Sequence, residues 1–416
     1  MSSRSDHPPT APRHVAYVCA DPGVALDADT GSGVHVRELI RALAARGVRV
    51  SVFSAAPVPA AAVRALGATL APVAADAELQ GVQRRLLKSL HADGRPTTRA
   101  GEIGQLLRNQ ALFEALRRRR PRIDLVYERA ALFNFAGLQY ARAAGVPFCV
   151  ELNAPLVEQQ QAYRDLDLVE TARAVEDQVL CGADRLLVTS AALRDYAHAR
   201  GVSRRAVRVL PCGVARERLV ALPRPPRAGE RFTIGFLGTL KPWHGVELLL
   251  EAFARLRALS PAYHLLVVGD GPLAGAVREA AASPGLAGAV TLTGSVPAAL
   301  VPALLAQMDV GVAPYPELPS FYFSPLKVWE YAAAGVPIVA SESGELPRLF
   351  PHKQAALLHP PGRVGKIVKH VERLRADPDL AGRLARRARA VARQHTWDRL
   401  AARLLTIAAA IRPPRA

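Results

Sequence analysis

The sequence predicts an α/β protein built from two Rossmann-like, doubly wound units. Three observations carry that expectation. Short apolar runs alternate with longer amphipathic stretches along nearly the whole chain, the pattern of strands alternating with helices. The alternation breaks once, where residues 214–231 turn Pro- and Arg-rich (LPRPPRAGER), and then starts again. At 416 residues the chain is long enough for two units with separate cores. The expected divisions are a disordered polar start at 1–13, a first unit at 14–213, a linker at 214–231, a second unit at 232–390 and a C-terminal helical stretch at 391–416.

In the first half, His14–Cys19 reads as the opening strand. Gly31 and Gly33 then lie on a turn before a helix expected from Val34 to Ala45, which Gly47 closes. A strand, a Gly-containing loop and a helix N-terminus let backbone come close to a phosphate or sugar. An ordinary loop fits the same residues, and the glycines do not spell the G-x-G-x-x-G of a nicotinamide site. His35 and Arg37 follow in the first turn.

Val48–Phe53 is a second strand, and Leu79–Leu90 and Ile103–Leu116 look amphipathic. Arg117–Arg120 precede Pro121 and read as a solvated helix end complementing the dipole. A basic amphipathic helix is also compatible with peripheral binding to an anionic membrane face. Further strands are expected at Ile123–Tyr127, Val146–Leu152, Asp184–Ser190 and Val207–Cys212, with a helix at Ala192–Arg200. Polar residues at the C-terminal ends of parallel strands point into a binding crevice. Glu128, Arg129, Glu151 and Asn153 hold such positions, and Glu158 follows one turn later. Taken singly, each also reads as a loop cap.

In the second half, strand Thr233–Leu237 leads into Gly238-Thr239-Leu240-Lys241-Pro242-Trp243-His244-Gly245 and a helix over Val246–Leu259. Lys241 and His244 thus stand between a strand end and a helix start. Strands His264–Val268, Val290–Thr293 and Asp309–Ala313 follow. Phe321–Ser341, FYFSPLKVWEYAAAGVPIVAS, reads as a helix and a buried strand, Val336–Ala340. Ser324 is expected to cap the helix and Pro325 to occupy its first turn, with Leu326, Trp329 and Ala333 on one apolar face. Gly335 and Pro337 end it. The helix N-terminus with Lys327 forms an anion site, and Glu330 could accept from sugar hydroxyls; an ordinary surface position for Glu330 and an ordinary first-turn proline at Pro325 fit this stretch equally well. Glu342 and Glu345 make another strand-end pair, and Trp397 and Leu400 in the basic helical tail look like core.

These motifs resemble the GT-B fold, family 4 retaining glycosyltransferases of group 1 type. The donor signature of that family is Glu, seven residues, Glu, small residues, Gly-x-Pro and a strand, and Glu330, Ala334, Gly335 and Pro337 match it. Tyr322 stands where the first Glu would be, as in a sub-branch reading FYFSPLK-x-x-EY. The loop GTLKPWHG fits the same sub-branch, and TWDRLAARLLTIAAA resembles the last helix of the family, which crosses back to the first domain. The resemblance implies two domains facing across a cleft, a nucleoside-diphosphate sugar as donor, and retention of configuration without a metal or other cofactor. It implies donor contacts from Gly31, Gly33, Lys241, His244, Gly294, Ser295, Val296, Tyr322, Ser324, Leu326, Lys327 and Glu330. Glu330 would hold the ribose, and the backbone at Ser295 and Val296 would meet the nucleobase. His244 falls where a Lys is common, so a protonated imidazole is expected to help neutralise the diphosphate. Catalysis is expected from Lys241, Glu151 and Asn153, the last where many members carry His. The acceptor is expected at His35, Glu128, Arg129 and Glu158.

The formal net charge is +18, which would suit phosphates, anionic lipid or nucleic acid, but no nucleic-acid module is evident and none is expected as a partner. Cys19, Cys149, Cys181 and Cys212 show no metal spacing, as expected of reduced thiols in a cytoplasm. The first residues lack an apolar signal core and no run reaches membrane-span length, so a cytoplasmic placement, extending to the inner membrane face, is expected. The expected function is transfer of a hexosyl or N-acetylhexosaminyl group, UDP-linked in preference to GDP-linked, to a hydroxyl of a natural product, glycolipid or surface polysaccharide. The alternatives are a sugar-nucleotide 2-epimerase on the same fold and a non-catalytic nucleotide-sugar binder.

Overall fold

The computed structural model describes residues 11–74, 77–92, 97–219 and 231–411. Most of the expected disordered start and residues 220–230 of the expected linker lie outside the described residues. The chain divides into two compact units, one of residues 1–28, 35–210 and 400–416, the other of residues 29–34 and 211–399.

In the first unit the strands are β1 (His14–Cys19), β2 (Arg49–Ser54), β3 (Thr69–Leu70), β4 (Leu125–Arg129), β5 (Phe148–Leu152), β6 (Arg185–Val188) and β7 (Val207–Val209). They form a parallel sheet in the order β3-β2-β1-β4-β5-β6-β7. The order reverses between β1 and β4, and ligand crevices of doubly wound sheets open at the C-terminal ends of such strands. β1 and β5 are buried along their whole length. That is why they read as unbroken apolar runs rather than alternating ones.

The second unit repeats the plan with β8 (Phe232–Leu237), β9 (Tyr263–Val268), β10 (Val290–Leu292), β11 (Val310–Ala313), β12 (Ile338–Ser341) and β13 (Leu357–His359). Their order, β10-β9-β8-β11-β12-β13, puts the switch point between β8 and β11. Phe236, Val267 and Val312 of the sheet pack with Leu249, Phe253 and Leu256 of helix Val246–Leu259 and with Ile367 and Val371 of helix Val364–Ala376.

Several expectations need correction. The helix after β1 spans Gly31–Ala44, so Gly31 and Gly33 lie in its first turn, where the Gly33 N–H donates to Thr30 Oγ1 at 3.2 Å. Ser324 does not cap the next key helix. Pro325 is the N-cap of Leu326–Ala334 without a side-chain cap, and Ser324 Oγ accepts from the Cys212 N–H at 3.2 Å instead. A short turn, Arg216–Leu219, occupies the start of the expected linker. Arg13 is tied down, its N–H donating to Asp124 Oδ2 at 3.0 Å. The basic tail is three helices, Val364–Ala376, Pro378–Gln394 and Trp397–Ala409. Trp397 is buried, whereas Leu400 is only half-buried. No helix among the described residues is long and apolar enough to cross a membrane.

Candidate functional site

Two clusters of polar groups stand at strand C-terminal ends, one in each unit. The first is built around Glu151 at the end of β5. Its carboxylate accepts from Tyr127 OH and from Asn153 Nδ2, and lies 3.0 Å from His35 Nε2 and 3.1 Å from Arg129 Nη1. Side chains alternate across a strand, so Tyr127 and Arg129 share a face of β4 and both reach the neighbouring β5. Burial disfavours the Glu151 anion, but His35, Arg129 and Tyr127 outweigh it and hold the carboxyl far below its usual range. The ring of Tyr17 packs on Tyr127, centroids 5.2 Å apart, and its phenol is pushed well up by burial and by Glu151.

With donors on both oxygens and so low a proton affinity, Glu151 stays a carboxylate that anchors His35, Arg129 and Asn153. This geometry changes one expectation. Glu128, expected at the acceptor, points to the opposite face of β4, where it is completely buried. Its Oε2 accepts from the Gly137 N–H at 3.1 Å. A Cβ at Gly137 would lie 2.0 Å from that oxygen, so only glycine admits the carboxyl. Burial raises Glu128 to about 8, which keeps it protonated at neutral pH. Glu158 is exposed in the first turn of helix Leu156–Tyr163.

The second cluster lies at the switch point of the second sheet. Lys327, in the first turn of helix Leu326–Ala334, is 7% exposed. Its Nζ lies 4.0 Å over the ring of Phe236 and 5.3 Å from that of Tyr315. It has no hydrogen-bond partner among the described residues. A Cβ at Gly238 would stand 3.2 Å from Lys327 Cε, and Gly238 has φ +130°, so glycine both makes the turn and leaves room for the amine. Burial lowers Lys327 to about 7. Lys241 Nζ sits 4.9 Å over the ring of Trp243. Phe321 and Phe323 close over Tyr315, with centroids 4.9 and 5.6 Å from it. Tyr322 packs edge-on against Phe323.

His244 stands among these rings, 6.3 Å from both Tyr315 and Phe323. Burial and the nearby Lys327 and Lys241 charges lower it to about 3. The expected protonated His244 is therefore corrected to a neutral ring. Nδ1 lies 2.6 Å from the carbonyl O of Thr239 and must donate to it, which leaves a lone pair at Nε2.

Glu330, one turn further along the helix, faces Arg218 Nε at 3.9 Å. Arg218 Nη2 also donates to the carbonyl O of Ala298 at 2.6 Å, just beyond Gly294, Ser295 and Val296. Arg218 was not expected from the sequence, because it lies in a stretch with the composition of a linker. Gly269 N donates to Gly294 O at 3.1 Å, joining the ends of β9 and β10. The early glycine turn belongs to this unit too: a Cβ at Gly31 would lie 3.7 Å from Leu326 Cδ1. Among the described residues no group of His, Cys, Asp and Glu is arranged to hold a metal ion. All four cysteines are unbridged.

Two family models match the chain, "Glycosyl transferase 4-like domain" over residues 30–213 and "Glycosyl transferases group 1" over residues 231–377. The chain is 30% identical over 249 residues to the GDP-mannose-dependent alpha-(1-6)-phosphatidylinositol monomannoside mannosyltransferase of Mycobacterium tuberculosis. That match covers 57% of this chain and 64% of the relative, just under two thirds of its length. It is 28% identical to the D-inositol 3-phosphate glycosyltransferase of Thermomonospora curvata over 91% of this chain and 90% of that one. Among solved structures, Anabaena HepE in complex with UDP-glucose shares the fold, with a TM-score of 0.65 and 15% identity over 94% of this chain and 99% of that chain.

Proposed function

The chain belongs to the group 1, family 4 glycosyltransferases of GT-B fold, and from that premise we propose that its second unit binds a nucleoside-diphosphate hexose and its first unit presents a hydroxyl acceptor, with the anomeric configuration retained. The observation that carries this reading is Lys327, a buried amine with no hydrogen-bond partner among the described residues, beside a helix N-terminus at the sheet switch point. A diphosphate supplies what that amine lacks. Lys327, Lys241 and the leading amides of helix Leu326–Ala334 would stabilise the charge that grows on the leaving group. Neutral His244 would accept from a sugar hydroxyl through Nε2, and Glu330, oriented by Arg218, would accept from the ribose.

In the first unit, His35, Arg129 and Asn153 would position the acceptor, each set by Glu151. We assign no protein nucleophile: the carboxylate of Glu151 is fully engaged and weakly basic, which favours attack by the acceptor itself. The relatives' printed names carry inositol-containing acceptors, which supports a polyol or its glycoside as the acceptor class. The names also carry GDP-mannose and UDP-glucose, so both donors belong in the test. The guanidinium groups of the Arg117–Arg120 run are engaged by Glu114, Ser51 and the helix-end carbonyls, which supports a capped helix end over a membrane anchor.

The test is to incubate the full chain with UDP-glucose or GDP-mannose and a polyol panel, identify products by mass spectrometry and assign the anomer by NMR. An α-linked product from an α-linked donor is expected. An inverted product would overturn retention, and donor epimerised without acceptor would overturn transfer.

A further inference from the structure

Lys327 is the basis of a second inference, which rests on reading its surroundings as the diphosphate site. An ammonium there has no anion to face and no water-accessible surface to speak of. Its neighbours are the rings of Phe236 from β8 and Tyr315 from the segment after β11. The charged and titratable groups around it offer no counter-ion. Lys241 and His244 come from the loop after β8, the first another cation and the second a ring held neutral by burial and by the two lysines. Tyr315 is held neutral by burial. On its own helix, Tyr331 OH is occupied by Leu237 N at 2.8 Å, and Glu330 faces Arg218. The Lys327 amine makes no hydrogen bond among the described residues.

We propose that Lys327 takes up a proton from solvent as the donor's diphosphate binds, so that donor affinity is greatest at or below neutral pH and falls as pH rises. The balance is simple: the neutral amine and one proton become an ammonium, which offsets one of the two negative charges of the diphosphate diester. When the nucleotide leaves, the proton returns to solvent. Above neutral pH the site thereby avoids burying an unpaired cation while it is empty.

The sign follows from linkage. Burial places the empty-site amine near about 7, and a bound anion raises it. With the bound form protonated throughout, affinity falls about fivefold from pH 7 to pH 8 and about tenfold over the next pH unit. Proton uptake at pH 8 is then about 0.9 per donor bound.

The experiment is calorimetric titration of the full chain, without acceptor, using UDP-glucose and GDP-mannose. Their diphosphates are diesters and do not titrate near neutrality. Each is measured at pH 8 in two buffers of very different ionisation enthalpy. A binding heat that differs between buffers by nearly one proton is expected. It should persist in His244→Gln and vanish in Lys327→Met. Should Lys327→Met bind too weakly or fail to fold, Lys327→Arg, charged at every pH, should bind with no proton uptake and a flat pH profile. Equal heats in both buffers for the unmodified chain would overturn the inference while leaving the donor site intact. Uptake that survives Lys327 replacement or is lost with His244→Gln would overturn it in favour of another group. If neither donor binds in any buffer, the diphosphate reading fails, and this inference with it.

Discussion

His35 Nε2 lies 3.0 Å from Glu151 Oε1, and both side chains are more than nine-tenths buried. The same carboxylate faces Arg129 at 3.1 Å, so one anion holds two cationic or potentially cationic side chains in place. Glu151→Ala would strand the Arg129 guanidinium in the interior, and we expect a loss of about 3–5 kcal/mol in stability by denaturant titration. Glu151 is depressed in the fold, so its contribution is complete above the unfolded carboxyl range and is lost as pH falls below it. The denaturation midpoint of the unmodified chain should therefore drop on acidification more steeply than that of Glu151→Gln.

Glu128 predicts the opposite slope from the neighbouring position. Burial raises it to about 8 in the fold, so the folded state holds a proton that the unfolded state has released. Between the unfolded carboxyl range and about pH 8, stability falls as pH rises. Glu128→Gln keeps an acceptor for the Gly137 N–H and removes the titration. We expect it to be more stable at pH 8 by about a few kcal/mol, with transfer activity retained. A large loss of kcat in Glu128→Gln would show that the residue does take part in the reaction.

Lys241 places its amine over the ring of Trp243, 4.9 Å from the centroid. Lys241→Ala should lower kcat/KM by about 10²–10³, the scale on which one preorganised transition-state donor is felt. An unchanged rate would remove Lys241 from the diphosphate site.

Arg218 and Glu330 should act as a unit, since Arg218 is itself pinned to the Ala298 carbonyl. Glu330→Ala and Arg218→Ala should each weaken donor binding by about tenfold, and the double variant should be little worse than the weaker single one, as coupled neighbours are. Calorimetry with donor alone measures this. Full additivity of the two losses would show that Arg218 does not orient Glu330.

Lys327→Met should separate stability from function. Burial lowers the lysine in the fold, so the unfolded state binds the extra proton and stability rises with pH from about 7 towards the ordinary lysine range. Removing the buried amine should raise Tm at neutral pH while weakening donor binding. A lower Tm would mean that the aromatic contacts of Lys327 outweigh its desolvation.

Much of this protein was legible because covered parallel strands are apolar runs and their helices carry period and caps. β1, β5, β8 and helix Leu326–Ala334 all lie within a few residues of where composition puts them. What escaped were short elements: β3, with two residues, and β13, with three, cannot show a period. Arg218 escaped because one turn inside an Arg- and Pro-rich stretch has no signature of its own. The cap at Ser324 failed for another reason: the hydroxyl found a distant partner, the Cys212 N–H, which no local pattern encodes.

By itself the sequence determined the class of the fold, the family and the strand ends on which polar residues would gather, because each is written in local periodicity and in motifs along one chain. Only the tertiary structure decided which of those residues share a face and what charge each carries. Alternation says that Glu128 and Arg129 part company, but not which of them meets Glu151. Residue type says that His244 and Lys327 can be cations, but burial among Phe236, Tyr315 and Phe323 leaves His244 neutral and Lys327 poised near neutrality. Desolvation depends on everything packed around a group, and that environment exists only once distant segments have come together.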